Sequence, residues 1–180
     1  MKLAFIGPSA VGKDTVSDYI EKKYSLNHIS SSDYIRKYTI ENNLGELTRE
    51  NLSRIAIKMR NEQGSDILVR MAIEECPDNI ILSGLRAIDE IKTFKELGGV
   101  IIAITAPLQR RYELAKLRKR IDDNVSFEEF KKIADKEYLN KDRNGQNIKQ
   151  IIEMADIEIV NDRTLEELFK KCEEYIERLK

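Results

Sequence analysis

The chain has 180 residues, of which 41% are hydrophobic and 35% charged, and its formal net charge is −1. This length favours a single domain over residues 1–180 that needs no disulfide or metal to hold its core. The composition excludes a membrane protein and a wholly disordered chain. The near-neutral charge also gives no attraction to membranes or to a broad nucleic-acid surface. With no Trp and many Glu, Lys and Ile, the composition is typical of a soluble intracellular protein, so we expect a cytoplasmic one.

Short apolar runs followed by turn residues predict buried strands at several points along the chain. They cover residues 3–6, 80–82, 100–104 and 157–160, and a shorter run at 28–29 is the candidate for a fifth strand. The first run is too short for a signal peptide. Because helical stretches separate the runs, we expect an α/β fold of three layers, in which helices cover both faces of a central parallel five-stranded sheet.

Capping residues mark the beginnings of several helices. Thr48 can cap a helix, and the pairs Ser126 with Glu129 and Thr164 with Glu167 have the spacing of capping boxes. Behind Thr164, apolar residues recur at helical spacing, which predicts a terminal helix that packs on the sheet.

The cysteines and the single histidine carry little catalytic signal. Cys76 and Cys172 lack the spacing of a zinc site, and Cys172 falls within the apolar stripe of the terminal helix. We expect both to be free thiols. With His28 as the one histidine, Ser-His-Asp or Cys-His catalysis is not the favoured chemistry.

The most specific motif lies between the first strand and the first helix. It has the pattern G-x-x-x-x-G-K, which is that of a phosphate-binding loop. Its glycines let backbone N–H groups converge on phosphate oxygens, and the helix N-terminus adds a partial positive charge. The side chain of Lys13 extends to the β- and γ-phosphates. The residues expected to bind the nucleotide, ATP, are Gly7, Pro8, Ser9, Ala10, Val11, Gly12, Lys13, Asp14 and Thr15.

The hydroxyl that usually follows the lysine is displaced by one position in this loop. Asp14 follows Lys13 directly, and Thr15 supplies the next hydroxyl. We therefore assign coordination of Mg²⁺ to Thr15. Asp14 either points away from the phosphates or helps to hold the metal ion.

A second motif follows the first helix, in the segment from Ile29 to Arg36. Its order I-S-S-S-D-Y-I-R resembles the acceptor-binding segment I-S-T-G-D-x-L-R of adenylate kinases and related nucleoside monophosphate kinases. The resemblance implies that Arg36 binds the acceptor phosphate and that Ser31 contacts the nucleoside. A guanidinium can hold a phosphate through two parallel hydrogen bonds, which fits this role.

A third motif ends the second predicted apolar strand. Ser83-Gly84-Leu85-Arg86 resembles the D-G-x-R element of the same kinases, and the resemblance implies that Arg86 also binds the acceptor phosphate. Ser83 replaces the usual aspartate, and Asp33 is the nearest acid that could compensate. If the acceptor is a hydroxyl group, Asp33 is also the candidate general base.

A basic segment over residues 110–145 resembles the short lid of small kinases. Twelve Lys and Arg stand against eight Asp and Glu over residues 108–149. In a lid, arginines close over the transferring phosphoryl group and exclude water. We expect Arg110 and Arg120 to act with Lys13 and Arg86 in catalysis.

Together the motifs resemble the P-loop nucleoside monophosphate kinase superfamily, in its adenylate or cytidylate kinase-like, deoxynucleoside monophosphate kinase-like or dephospho-CoA kinase-like forms. The resemblance implies a helical acceptor-binding insertion over residues 31–76 and an ATP- and Mg²⁺-dependent kinase for a nucleoside or deoxynucleoside monophosphate. The expected partner is this small nucleotide, and the protein is a monomer or a homodimer. The alternatives are phosphorylation of a hydroxyl as in dephospho-CoA, a kinase acting on nucleic acid, a nucleotide switch or other non-kinase ATPase, and an inactive homologue.

Overall fold

The computed structural model describes residues 1–118, 125–138 and 148–179. Its strands form one parallel sheet in the order β2-β3-β1-β4-β5. The predicted α/β fold is therefore confirmed, and the short run at 28–29 is the edge strand β2. The strands are β1 (Lys2–Ile6), β2 (Asn27–Ser30), β3 (Ile80–Ser83), β4 (Val100–Thr105) and β5 (Ile157–Val160).

The helices begin where the capping residues predicted them. The Thr48 hydroxyl accepts a hydrogen bond from the backbone of Asn51, and the Thr164 hydroxyl accepts one from Glu167. Ser126 forms its predicted reciprocal bonds with the residue three positions on. The helices of the described ranges are α1 (Lys13–Tyr24), α2 (Ser31–Glu41), α3 (Arg49–Gln63), α4 (Ile67–Glu75), α5 (Ile88–Glu96), α6 (Leu108–Arg118), α7 (Phe127–Tyr138), α8 (Ile148–Glu153) and α9 (Leu165–Glu177).

Helices cover both faces of the sheet, so its strands are apolar on both sides. On one face, α1 and α9 pack through a cluster that includes Val16, Ile20 and Cys172. On the other face, α4, α5 and α8 pack through a cluster that includes Phe94 and Ile151. No helix within the described ranges is long and apolar enough to cross a membrane.

Two groups of helices lie beside this three-layer core. Helices α2, α3 and α4 form their own apolar cluster, centred on Ile55 and Met59, within the predicted insertion. Helices α6 and α7 belong to the predicted lid, and Ala115 and Phe130 pack against Ala10 of the phosphate loop. The carboxyl ends of parallel strands meet at one edge, and both groups flank that edge, where ligands bind in such sheets.

Candidate functional site

The phosphate loop is held in a conformation that its glycines make possible. Gly7 has φ +132°, and a Cβ built on it would lie 2.0 Å from the carbonyl oxygen of Ile104. Gly12 has φ +95° and is the N-cap residue of α1. Since other residues rarely adopt such angles, glycine at both positions lets the loop turn sharply from β1 into α1.

Lys13 is folded back onto its own loop. Its Nζ donates to the Pro8 carbonyl at 2.7 Å, and the side chain is 8% exposed. Burial, reinforced by the nearby positive charge of Arg86, lowers the pKa of Lys13 to about 7. In the free protein this lysine is thus protonated only in part near neutral pH, and an incoming polyphosphate would favour its charged form.

The two residues after Lys13 differ in where they face. Both side chains are exposed, but Asp14 lines the cavity beside the phosphate loop and Thr15 does not. Mg²⁺ prefers oxygen ligands and usually keeps several water ligands beside phosphates. A carboxylate and a hydroxyl next to a phosphate loop fit such an ion, so Asp14 would hold Mg²⁺ together with, or in place of, Thr15.

The cavity connects the phosphate loop to the insertion. Its volume is about 810 Å³, and it extends from Ser9 and Ala10 of the phosphate loop to Leu47, just before α3. The structure thus brings the phosphate loop and both acceptor motifs to one cavity. Its cationic lining residues are Lys13, Arg36, Arg49, Arg60, Arg86 and Arg118.

Arg86 lies on a loop with a well-defined shape. Gly84 has φ +83°, and a Cβ on it would lie 2.7 Å from the Ser31 hydroxyl, so the two acceptor motifs are in close approach. The backbone N–H of Arg86 donates to the Glu90 carboxylate at 2.7 Å. Burial lowers the pKa of the Arg86 guanidinium, as expected for a cation held in a partly desolvated cavity.

Asp33 faces away from this cavity. Its side chain is 73% exposed, it contacts Arg36 at 3.3 Å, and it is not among the lining residues. Arg36 and Ser31 do line the cavity. Because α2 begins at Ser31, the aspartate two positions later falls on the outer side of the first turn.

Two neighbouring arginines of the predicted lid, Arg110 and Arg111, make different contacts. The Nη2 of Arg110 donates to the Arg163 carbonyl at 2.9 Å, and Arg110 does not line the cavity. Arg111 is instead buried, donates from Nε to the Ser9 carbonyl at 3.0 Å and lies over the Phe130 ring. Arg120 lies outside the described residues.

Further polar residues at the site carry no motif that sequence reasoning could use. Arg49, Arg60 and Glu137 line the cavity from α3 and α7, and Glu90 is fully buried beneath the Arg86 loop. Their spacing is that of ordinary charged helix residues. The sequence offered one signal for Glu90, which is its position four residues after Arg86.

His28 joins a chain of hydrogen bonds that the sequence did not predict. Its Nε2 lies 2.9 Å from the Ser83 hydroxyl, and its Nδ1 lies 3.1 Å from the Asp18 carboxylate. The arrangement Ser83–His28–Asp18 resembles a catalytic triad, but Ser83 is 1% exposed. A buried hydroxyl cannot reach a substrate, so the arrangement holds the end of β3 against α1 and β2.

The sheet order, the loop and the cavity define a protein with a P-loop kinase-like fold. Residues 6–131 match the AAA domain family. The chain belongs to the UPF0200 family: it is 30% identical to the UPF0200 protein of Thermococcus onnurineus, with 99% of this chain and 98% of that protein covered. It is also 30% identical to the UPF0200/UPF0201 protein of Archaeoglobus fulgidus, and spans 98% of its own length but 55% of that relative.

The fold is shared with shikimate kinases. The chain matches the shikimate kinase of Bacteroides thetaiotaomicron with a TM-score of 0.66 and 14% identity, over 98% of each chain. It matches the shikimate kinase of Aquifex aeolicus with a TM-score of 0.55 and 20% identity, over 98% and 96% of the two chains. At these identities the likeness concerns the fold.

Proposed function

We propose that this protein is an ATP-dependent small-molecule kinase that transfers the γ-phosphoryl group of Mg·ATP to a small acceptor carrying an anionic group. The observation that carries this proposal is the single cavity that Lys13 shares with Arg36 and Arg86. A donor phosphate on the loop and an acceptor anion on the two arginines would then face each other. Phosphoryl transfer depends mainly on such positioning and on neutralisation of charge.

A nucleoside or deoxynucleoside monophosphate is the first candidate acceptor. The segment around Arg36 and the loop of Arg86 resemble those that bind the acceptor phosphate in the monophosphate kinases. A phosphate oxygen is already an anion, so this acceptor needs no general base.

A hydroxyl group on an anionic molecule is the second candidate. Within the described ranges, the lining of the cavity includes no aromatic side chain, whereas its apolar wall consists of aliphatic residues such as Ile35, Leu52 and Ile57. A nucleobase would find no ring to stack on there. The fold is also shared with shikimate kinases, and shikimate, the compound in their name, is a carboxylate that carries hydroxyl groups.

The test is a screen of acceptor-dependent ATP consumption. The acceptors are the common nucleoside and deoxynucleoside monophosphates, dephospho-CoA and shikimate, and Lys13→Ala is the inactive control. We expect Arg86→Lys to raise the KM of the active acceptor at least tenfold, because lysine cannot form the bidentate contact. The exposed Arg54 on α3 supplies the matched control, Arg54→Lys. ATP hydrolysis that no acceptor stimulates would instead support a non-kinase ATPase.

A further inference from the structure

The cavity contains one carboxylate that is buried without a complete set of hydrogen bonds. Asp14, Glu46 and Glu137 line it within the described ranges, and the first two are exposed. The Glu137 side chain is only 10% exposed. Its Oε1 lies 4.0 Å from the Arg49 guanidinium, and its Oε2 is buried with no hydrogen-bond partner among the described residues.

Glu137 lies among the cations of the site. Its negative charge acts on Lys13, Arg86 and Arg111, opposing in each case the lowering of the pKa by burial. Arg111 in turn contacts the phosphate loop at Ser9. The carboxylate therefore lies where the loop, the Arg86 segment and the lid helices meet.

A buried carboxylate oxygen without a donor is costly. A ligand that donates a hydrogen bond would remove the cost, whereas an acceptor phosphate would bring a second anion towards it. Asp33, the base that the sequence suggested, is 73% exposed and does not line the cavity. Of the two acceptor classes, a hydroxyl acceptor can donate a hydrogen bond to Glu137, whereas a phosphate acceptor would be repelled by it.

Building on the proposed kinase activity, we propose that Glu137 is the catalytic residue that accepts the proton of an acceptor hydroxyl. The acceptor is then a small molecule with a hydroxyl group at Glu137 and an anionic group at Arg36 and Arg86. As the hydroxyl oxygen forms its bond to the γ-phosphorus, the bond from that phosphorus to the β–γ bridging oxygen breaks. The hydroxyl proton passes to the carboxylate, ADP leaves with the bond electrons, and the proton is then released to water.

The experiment compares variants on two classes of acceptor. Dephospho-CoA and shikimate are the hydroxyl-bearing anions of the screen, and AMP, CMP and dGMP are the phosphate acceptors. We expect wild-type protein to phosphorylate a hydroxyl acceptor and Glu137→Gln to slow that turnover at least a hundredfold, as for loss of a general base. Affinity for Mg·ATP should stay within about twofold. Glu128→Gln, at an exposed position of the same helix, should match wild type.

Three results would overturn this inference and leave the kinase proposal standing. One is transfer only to phosphate acceptors. Another is hydroxyl transfer that Glu137→Gln leaves intact while Asp33→Asn abolishes it. The third is tighter Mg·ATP binding and faster turnover in Glu137→Gln, which would mean that the carboxylate merely neutralises the surrounding cations. If wild-type protein transfers phosphate to no acceptor of either class, the proposed function itself fails, and the role of Glu137 fails with it.

Discussion

The guanidinium of Arg60 and the carboxylate of Glu90 form a buried ion pair beneath the acceptor loop. Nε and Nη2 of Arg60 donate to Oε1 of Glu90 at 2.9 and 2.8 Å, and the two side chains are 2% and 0% exposed. The other carboxylate oxygen accepts the backbone N–H groups of Arg86 and Ala87 at 2.7 and 2.9 Å. One side chain thus connects α3 of the insertion to the loop that presents Arg86.

Removal of Glu90 should therefore be severely destabilising. Glu90→Ala removes the buried carboxylate that pairs with Arg60 and accepts two backbone N–H groups, and should lower the free energy of unfolding by about 3–5 kcal/mol. Urea unfolding followed by circular dichroism measures this. Glu62→Gln removes one partner of the exposed Lys58–Glu62 pair and should cost less than about 0.5 kcal/mol. A loss below about 1 kcal/mol in Glu90→Ala would show that the pair does not support the loop.

Binding of Mg·ATP should take up a proton at alkaline pH. With its pKa lowered to about 7, much of Lys13 is neutral at pH 8, and the polyphosphate should restore the charged form. Calorimetry in buffers of different ionisation enthalpy should show uptake approaching one proton at pH 8 and little at pH 6. Lys13→Ala, if it retains any binding, should show no such uptake. Equal proton uptake at both pH values would contradict the lowered pKa.

The same lysine should make the free protein less stable at low pH. Its folded pKa lies below its unfolded value of 10.5, so between these values the unfolded chain binds more protons and stability rises with pH. Below pH 7 the full cost of burying the charge is present. Lys13→Met should therefore raise the melting temperature of the nucleotide-free protein most at pH 6, and the gain should shrink towards pH 10. A gain that is constant with pH would indicate better packing instead.

A methyl group on Gly7 should disrupt the phosphate loop. The added Cβ of Gly7→Ala would lie 2.0 Å from a backbone oxygen of β4, at φ +132°, so we expect a loss of at least about 3 kcal/mol in the free energy of unfolding. Gly98 also has a positive φ of +76°, but a Cβ added there would have nothing within 4 Å. Gly98→Ala should cost only about 1 kcal/mol. Similar losses in both variants would contradict the steric argument.

Features that depend on contiguous residues were predictable from the sequence. The phosphate loop follows from nine consecutive residues that lead from a strand into a helix, and the caps at Thr48 and Thr164 depend on neighbours three positions away. The parallel sheet follows from apolar runs that are buried on both faces. In these cases local chemistry and the final fold agree.

Features that depend on how a helix is rotated against its neighbours could not be predicted from the sequence. Asp33 and Arg36 belong to one motif, yet only Arg36 lines the cavity. The partners Arg60 and Glu90 are 30 positions apart on different helices, and nothing in either segment indicates that they meet. Such pairs are set by tertiary packing, which one sequence does not specify.

The neighbouring arginines of α6 give the sharpest contrast between the sequence and the structure. Successive residues of a helix point about 100° apart, so one of the two can face the phosphate loop while the other faces the loop between β5 and α9. Arg111 donates to Ser9, and Arg110 donates to Arg163. Arg111→Lys should weaken Mg·ATP binding roughly tenfold, because it removes a charged hydrogen bond to the loop and the contact with Phe130. Arg110→Lys should change it less than about twofold. Titration calorimetry of both variants measures this, and the reverse order would show that Arg110, not Arg111, supports nucleotide binding.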